Sequence, residues 1–313
     1  MQRLGELMKS IDRREFMRIA AATGAALSMP ISLQAATEKM HTRTIPSTGQ
    51  KLGIVGYGNT AAFRTVDEET RRTARELIKL LIDHGGNFID TNPSTVWNFE
   101  QALDVDMLKQ LQIVTSIPER GESIGEGDID HLYQALEKKP LDFLQVRNMW
   151  SLEATKHWST LKEWKAAGIV RHIGMSGVRA EQPETVKALE KVMDDGADFI
   201  HCNYSHAETG AEERLLPMAR DKGIGVITNR PFRNGNYFKL VAGKELPEWA
   251  KEFDCESWAQ LSIKWILSNP VVTCVITESS KTNHAIDNLR GGQGKLPDEN
   301  QRQRISQLLQ SFS

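Results

Sequence analysis

The chain has 313 residues, a formal net charge of −2 at pH 7 and 40% hydrophobic residues. This composition is typical of a globular protein that is long enough for one barrel or two small domains. The nearly balanced charge gives no reason to expect nucleic acid or an anionic membrane surface as a partner, and no apolar run approaches the ~18 residues of a membrane span. Three widely separated cysteines, Cys202, Cys255 and Cys274, match no metal-binding spacing and are expected to be buried as small hydrophobic residues.

The first 36 residues differ in kind from the rest of the chain. Arg13 and Arg14 precede a mildly apolar, alanine-rich stretch that ends in Ala35 and Ala36, which supply small residues for cleavage. Paired arginines before a weakly hydrophobic stretch resemble a twin-arginine export signal, and the alternative is an amphipathic surface helix that carries two arginines. We therefore expect a signal peptide at residues 1–36, the twin-arginine export machinery as a partner, and a periplasmic or exported mature protein.

From Thr42 onward, short apolar strands alternate with helical patterns. The pattern first predicts a small hairpin from Thr42 to Leu52, with a turn at Ser47-Thr48-Gly49. The eight predicted buried strands are Leu52–Val55, Phe88–Asp90, Gln112–Thr115, Phe143–Val146, His172–Met175, Phe199–Cys202, Gly225–Thr228 and Cys274–Ile276. The predicted helices lie near residues 67–83, 98–109, 129–138, 153–167, 183–193, 211–222, 257–268 and 282–290.

Strands that are buried on both faces and alternate with helices indicate a parallel sheet. Eight such units in about 260 residues fit a closed barrel better than an open, doubly wound sheet. An open sheet could place a dinucleotide-binding loop at Gly53–Gly58, but GIVGYG lacks the GxGxxG spacing and no helix begins directly behind it. The prediction is an α/β fold, a single (β/α)8 TIM barrel with an N-terminal β-hairpin, spanning residues 37–313.

Asp90 ends the second predicted strand, within the stretch GGNFIDTNPSTVWNFE. A carboxylate at the end of a buried strand is costly unless it is paired or used. In a parallel barrel this end of the strand lies at the mouth, where chemistry is done. Asp90 is therefore a candidate catalytic residue, and the alternative is that it only caps the loop that follows it.

Seven segments occur in an order that is familiar from one family. They are TRTIPSTGQKLGIVGYGNT (42–60), NFIDT (87–91), LDFLQVRNMW (141–150), LKEWKAAGIVRHIGMSG (161–177), FIHCNYS (199–205), GIGVITNRPF (223–232) and the final helix–strand–helix at 259–289. Together they cover nearly all of residues 42–292 and resemble the aldo/keto reductase family. The resemblance implies transfer of a hydride from a nicotinamide to a carbonyl compound, with a tyrosine as the acid, an aspartate–lysine pair and a histidine.

Only the aspartate of that catalytic tetrad is kept, as Asp90. The tyrosine position falls on Thr95, the lysine position on Ser116 and the histidine position on Arg147. A threonine hydroxyl is a much weaker acid than a phenol, and an arginine is a poor proton donor because it stays protonated. Arg147 either replaces the lost cations, pairing with Asp90 and binding a carbonyl, carboxylate or phosphate, or only neutralises Asp90 at a mouth that does no chemistry.

The resemblance also implies a site for NAD or NADP. The implied cofactor-binding residues are Gly58, Asn59, Ser176, His201, Asn229, Arg230, Pro231, Ser279, Lys281 and Asn288. Glu278 and His284 stand where the family has basic residues, and a glutamate there repels the 2′-phosphate of NADP. Aromatic and polar residues near the same rim form either a ligand wall or loop packing; they are Trp97, Asn98 and Trp150.

Three functional hypotheses stay open. The leading one is an exported, aldo/keto reductase-like NAD(P)-dependent oxidoreductase with altered chemistry, acting on a small carbonyl compound, in which Asp90 and Arg147 supply electrostatics and the proton comes from water or substrate. The second is a catalytically inactive barrel that binds a small ligand or a partner protein at the same mouth. The third is a lyase or isomerase that uses Asp90 and Arg147 without a nicotinamide.

Overall fold

Eight parallel strands close into a barrel in the computed structural model, which describes residues 38–58, 67–91, 96, 101–117, 126–146, 155–177 and 182–312. A hairpin of β1 (Thr42–Thr44) and β2 (Lys51–Gly53) precedes the barrel. The barrel strands are β3 (Val55–Tyr57), β4 (Phe88–Asp90), β5 (Gln112–Ile117), β6 (Leu141–Val146), β7 (Val170–Gly177), β8 (Phe199–Asn203), β9 (Gly225–Asn229) and β10 (Val272–Thr277), with β10 closing on β3. The predicted TIM barrel with its N-terminal hairpin is confirmed, and the predicted signal peptide lies outside the described residues.

One predicted strand is wrong in its position. The first barrel strand is Val55–Tyr57 rather than Leu52–Val55, because Leu52 pairs with Arg43 in the hairpin and Val55 pairs with Val275 in the barrel. Two short strands therefore follow one another with only Ile54 between them. The apolar run of this segment has no signal that separates a hairpin arm from a barrel strand.

Helices surround the barrel. They are α1 (Glu68–Asp83), α2 (Val105–Gln110), α3 (Glu126–Leu136), α4 (Thr155–Ala166), α5 (Pro183–Asp194), α6 (Leu215–Lys222), α7 (Asn236–Leu240), α8 (Trp258–Leu267), α9 (Thr282–Arg290) and α10 (Glu299–Gln310), with 3-10 turns at Gly210–Glu212, Arg233–Gly235 and Glu248–Phe253. Helices α7 and α10 were not predicted. Among the described residues, no helix combines the length and the apolar character that crossing a membrane requires.

Helix α10 is tied to the barrel by one arginine. The Arg302 guanidinium donates hydrogen bonds of 2.6 Å to the Tyr204 hydroxyl and 2.6 Å to a carboxylate oxygen of Glu212, and it lies 4.0 Å from the centre of the Trp265 ring. The helix begins with a capping box in which Asp298 and Gln301 bond to each other's backbone. This arrangement fixes the last helix against the loop that leaves β8.

The hairpin fills the end of the barrel where the strands begin. Ile45 and Leu52 are fully buried in a cluster with residues that point into the barrel, namely Phe88, Val114, Phe143, Phe199, Ile227, Cys274 and Ile276. Gly225 leaves the space for this plug, because a Cβ atom at that position would lie 2.8 Å from Ile45 Cγ1. The three cysteines are buried and unpaired, as predicted.

Two buried aspartates join neighbouring strands to the segments outside them. Asp142 on β6 accepts the backbone N–H of Ile113 on β5 at 3.2 Å and forms an ion pair of 2.8 Å with Lys138. Asp198, just before β8, accepts the N–H of Ile173 on β7 at 2.9 Å and forms an ion pair of 2.6 Å with Lys165. Asp198 therefore connects a strand to helix α4, and Asp142 connects a strand to the turn that follows α3.

Removing one of these carboxylates should be strongly destabilising. We expect Asp142→Ala to lower the free energy of unfolding by about 3 kcal/mol, because it leaves a buried N–H without its acceptor and the nearly buried Lys138 ammonium group with only the Leu111 carbonyl. Urea denaturation followed by circular dichroism measures the change. The matched control is Lys79→Ala, which breaks an exposed pair with Asp83 and should cost at most about 0.5 kcal/mol. Equal losses in the two variants would contradict this account.

Candidate active site

A polar layer lies directly above the apolar layer of the barrel, toward the ends of the strands. Side chains two residues apart on a strand share a face, and on five of the barrel strands an inward apolar residue is followed by an inward polar one. The pairs are Phe88 and Asp90, Val114 and Ser116, Phe143 and Gln145, Phe199 and His201, and Ile227 and Asn229. Ser176 belongs to the same layer, because it is the register partner of His201 on the neighbouring strand.

Asp90 and Ser116, two of the predicted catalytic residues, are brought together by a third side chain. The Gln145 amide nitrogen donates a hydrogen bond of 3.2 Å to the Asp90 carboxylate and another of 3.2 Å to the Ser116 hydroxyl oxygen. Asp90 is 7% exposed, Ser116 is 2% exposed and Gln145 is 1% exposed. The site is therefore built around a neutral amide that contacts a carboxylate in a nearly dry environment.

Sequence reasoning missed Gln145. In the strand LDFLQV, a polar glutamine stands two positions after the inward Phe143, where an apolar residue would be expected. This polar residue at an inward position is the signal that could have located Gln145. The two other predicted catalytic residues, Thr95 and Arg147, lie outside the described residues. The same holds for Asn59 and for the proposed rim residues Trp97, Asn98 and Trp150.

The predicted residues for the nicotinamide end lie together on three adjacent strands. Ser176 and His201 are register partners, and Asn229 is the register partner of Asn203, two residues beyond His201. The side-chain oxygens of Gln145, Asn203 and Asn229 have no hydrogen-bond partner among the residues that the structure describes. Buried acceptors of this kind are costly unless a ligand or water satisfies them.

The loop after β9 carries two arginines in a strained backbone. Arg230 and Arg233 have φ angles of 54° and 49°, in the left-handed region that non-glycine residues seldom adopt. Both side chains are half-buried, and neither guanidinium forms a hydrogen bond or ion pair within the described part of the chain. Pro231 fixes the loop, because its carbonyl oxygen accepts a hydrogen bond of 2.6 Å from Ser262 on α8.

A histidine beside this loop stays neutral at neutral pH. His206 packs edge-on against the Tyr237 ring, with 5.2 Å between the ring centres. Burial, and secondly the positive charge of Arg233, lower the pKa of His206 to about 4. The positive charge near the loop therefore comes from the arginines and not from this imidazole.

A cavity of about 340 Å³ opens between this loop, α8 and α9. It is lined by Phe232, Phe238, Ser257, Trp258, Ala259, Glu278, Ser279, His284, Asp287 and Asn288. Ser279 and Asn288 were predicted to bind a cofactor, whereas the predicted Lys281 is not part of the lining. Its backbone N–H instead donates a 3.1 Å hydrogen bond to the Ser279 hydroxyl at the start of α9.

Gly58, another predicted cofactor residue, has a packing role beside the cavity. A Cβ atom there would lie 2.9 Å from Ile276 Cγ2 and 3.0 Å from Cγ of Glu278. The glycine therefore lets the end of β10 approach β3 and places Glu278 next to the first strand. Asp287, on the other side of the cavity, accepts hydrogen bonds from Ser257 at 2.8 Å and Gln260 at 2.7 Å.

Comparison with known structures places the same fold in several proteins. The holo form of aldo-keto reductase AKR11C1 from Bacillus halodurans superposes with a TM-score of 0.68 and 18% identity, covering 86% of this chain and 96% of that one. An aldo-keto reductase from Klebsiella pneumoniae in complex with NADPH gives a TM-score of 0.68 and 15% identity, covering 87% and 95% of the two chains. These likenesses support the barrel fold.

Sequence comparison identifies the family. L-galactose dehydrogenase from Arabidopsis thaliana is 24% identical over 290 residues, which cover 80% of this chain and 88% of that protein. Aldo-keto reductase YhdN from Bacillus subtilis is 24% identical over 237 residues, covering 69% of this chain and 68% of the relative. The family model for the aldo/keto reductase family matches residues 112–309. Because this match spans more than half of the chain, the protein belongs to the aldo/keto reductase family, as its sequence segments predicted.

Proposed function

We propose that the protein is an NAD(P)-dependent oxidoreductase that acts on a small carbonyl compound with altered chemistry. The observation that carries the proposal is the cavity of about 340 Å³ that contains Ser279 and Asn288 and has the aromatic side chains of Phe232, Phe238 and Trp258 on its walls. Apolar walls with a few convergent polar groups are typical of sites for small molecules and cofactors. Its position beside α9 agrees with the adenosine end of the cofactor site that the family resemblance implies.

The residues present fit a dinucleotide along its whole length. At the nicotinamide end, the unpaired side-chain oxygens of Asn203 and Asn229 could accept hydrogen bonds from a carboxamide group. In the middle, the unpaired guanidinium groups of Arg230 and Arg233 could grip a diphosphate. We infer that the strained backbone at these two arginines holds their positive charge close to the mouth.

When bound, a nicotinamide cofactor supplies the hydride that reduces a carbonyl carbon. Ser116 would act on the carbonyl oxygen from the other side of the mouth through its hydroxyl donor, whereas the Asp90 carboxylate can only accept and would receive a hydroxyl or N–H group of the ligand. Because Thr95 stands at the tyrosine position, we propose that water or the substrate itself provides the proton. The name of the Arabidopsis relative makes sugar-derived carbonyl compounds the first substrate class to test.

The first prediction is that the purified protein binds NADH or NADPH with micromolar or tighter affinity, measured by calorimetry after its retained cofactor has been determined. Arg233→Ala should weaken binding about tenfold, since a charge-assisted hydrogen bond contributes about 1.5 kcal/mol. The matched control is Arg304→Ala, which removes an exposed arginine outside the proposed site. A folded protein that binds neither cofactor and retains none would contradict the proposal and favour a barrel that binds another ligand or a partner protein.

The second prediction concerns the choice between the two cofactors. Glu278 and Asp287 bring two carboxylates to the cavity, so the 2′-phosphate of NADP should be disfavoured and NADH should bind more tightly than NADPH. Glu278→Lys should shift the ratio of the two affinities toward NADPH by about tenfold, corresponding to roughly 1.4 kcal/mol, and added salt should reduce the shift.

The control for this prediction is Glu256→Lys, which makes the same change of charge on an exposed residue outside the cavity lining. It should leave the ratio of affinities unchanged. An equal shift in both variants would mean that net charge, and not the position of Glu278, sets the preference.

A further inference from the structure

Gln145 reaches Asp90 across an intervening strand. Ser116 on β5 is the register partner of Gln145 on β6, whereas Asp90 on β4 pairs with Val114, two residues before Ser116. Alternate strands of a sheet are about 10 Å apart, so the glutamine must extend over β5 to contact the carboxylate. The small Ser116 side chain leaves the space for this, and a long side chain at that position would occupy it.

The carboxylate determines which way the amide faces. Asp90 can only accept hydrogen bonds when ionised, so the amide nitrogen of Gln145 must face it, because the amide oxygen would be repelled. The same nitrogen lies 3.2 Å from the Ser116 oxygen, which must therefore accept. The Ser116 hydroxyl proton is therefore not donated to Gln145, and it has no acceptor among the described residues.

We infer that Gln145 is a positioning residue of this site: its amide holds the Asp90 carboxylate in one orientation and leaves the Ser116 hydroxyl as a hydrogen-bond donor to a ligand. The inference rests on the proposed oxidoreductase function and adds a residue to it. Gln145 transfers neither a proton nor an electron. It sets the direction of two groups: the Ser116 hydroxyl, which can stabilise the developing negative charge of a carbonyl oxygen, and the Asp90 carboxylate, which can accept a hydrogen bond from the ligand.

A packing role makes a different prediction from a positioning role. If Gln145 only fills the interior, a side chain of similar length should preserve turnover. If it positions Asp90 and Ser116, loss of its N–H donors should lower kcat while cofactor binding persists. An exchange that preserves length and removes the donors separates the two roles.

The test compares Gln145→Met with Gln145→Asn and with a control, Gln293→Met. Methionine keeps the length and loses the donors, while asparagine keeps the amide but is one methylene too short to span β5. Gln293 is a second buried glutamine, which bonds to the backbone of Glu38 and to His84 far from the polar layer. Melting temperature, NADH affinity, kcat and KM are measured for each variant with a panel of small carbonyl compounds, sugars included.

We expect both Gln145 variants to bind NADH with unchanged affinity and to lose about a hundredfold in kcat. We expect Gln293→Met to melt at a lower temperature with kcat unchanged. Wild-type kcat in either folded Gln145 variant overturns the positioning role. Wild-type protein that binds NADH and turns over none of the compounds also overturns it, whereas absence of cofactor binding removes the proposed function itself.

Discussion

The constraint on which the site depends is the filling of one end of the barrel by the hairpin. Ile45 and Leu52 are fully buried against the inward apolar residues of the barrel strands. Because inward side chains recur every second residue, the next inward layer is the one that faces the mouth. Polar groups in that layer can meet a ligand, whereas the same groups in the plugged layer would be buried without partners. The position of Asp90, Ser116 and Gln145 follows from this order of layers.

Gln145 also affects how the buried Asp90 carboxylate is stabilised. Gln145 contributes one hydrogen bond of fixed direction and no charge to this carboxylate, which has a further partner besides it. The small side chain of Ser116 leaves room for this contact, since the glutamine occupies the space above it. Ser116 and Gln145 are therefore linked by volume as well as by chemistry.

Most of the fold could be predicted from the sequence because most strands and helices have a local signal. Asp90 could be assigned to the mouth because it ends a buried strand, whereas Ser116 was assigned only through the family resemblance, which places it at the lysine position. For Gln145 the sequence LDFLQV marks only a polar residue at an inward position, because its contacts with Asp90 and Ser116 depend on the register between β5 and β6, which no local pattern contains. Helix α10 was missed although Asp298 and Gln301 have the spacing of a capping box, so there the signal existed and was not used.

The distribution of charge around the mouth argues for a ligand with a defined orientation. Arg230 and Arg233 place unpaired positive charge on the loop after β9. Glu278 and Asp287 place negative charge in the cavity between this loop, α8 and α9. NADH, which carries no 2′-phosphate, has its negative charge in the middle and an uncharged nucleoside at each end. In the proposed complex the diphosphate would lie at the arginines, one nucleoside in the acidic, aromatic cavity and the other toward the polar layer that contains Asp90. Charge would then select the diphosphate position, and the aromatic walls and the amide oxygens would distinguish the two ends.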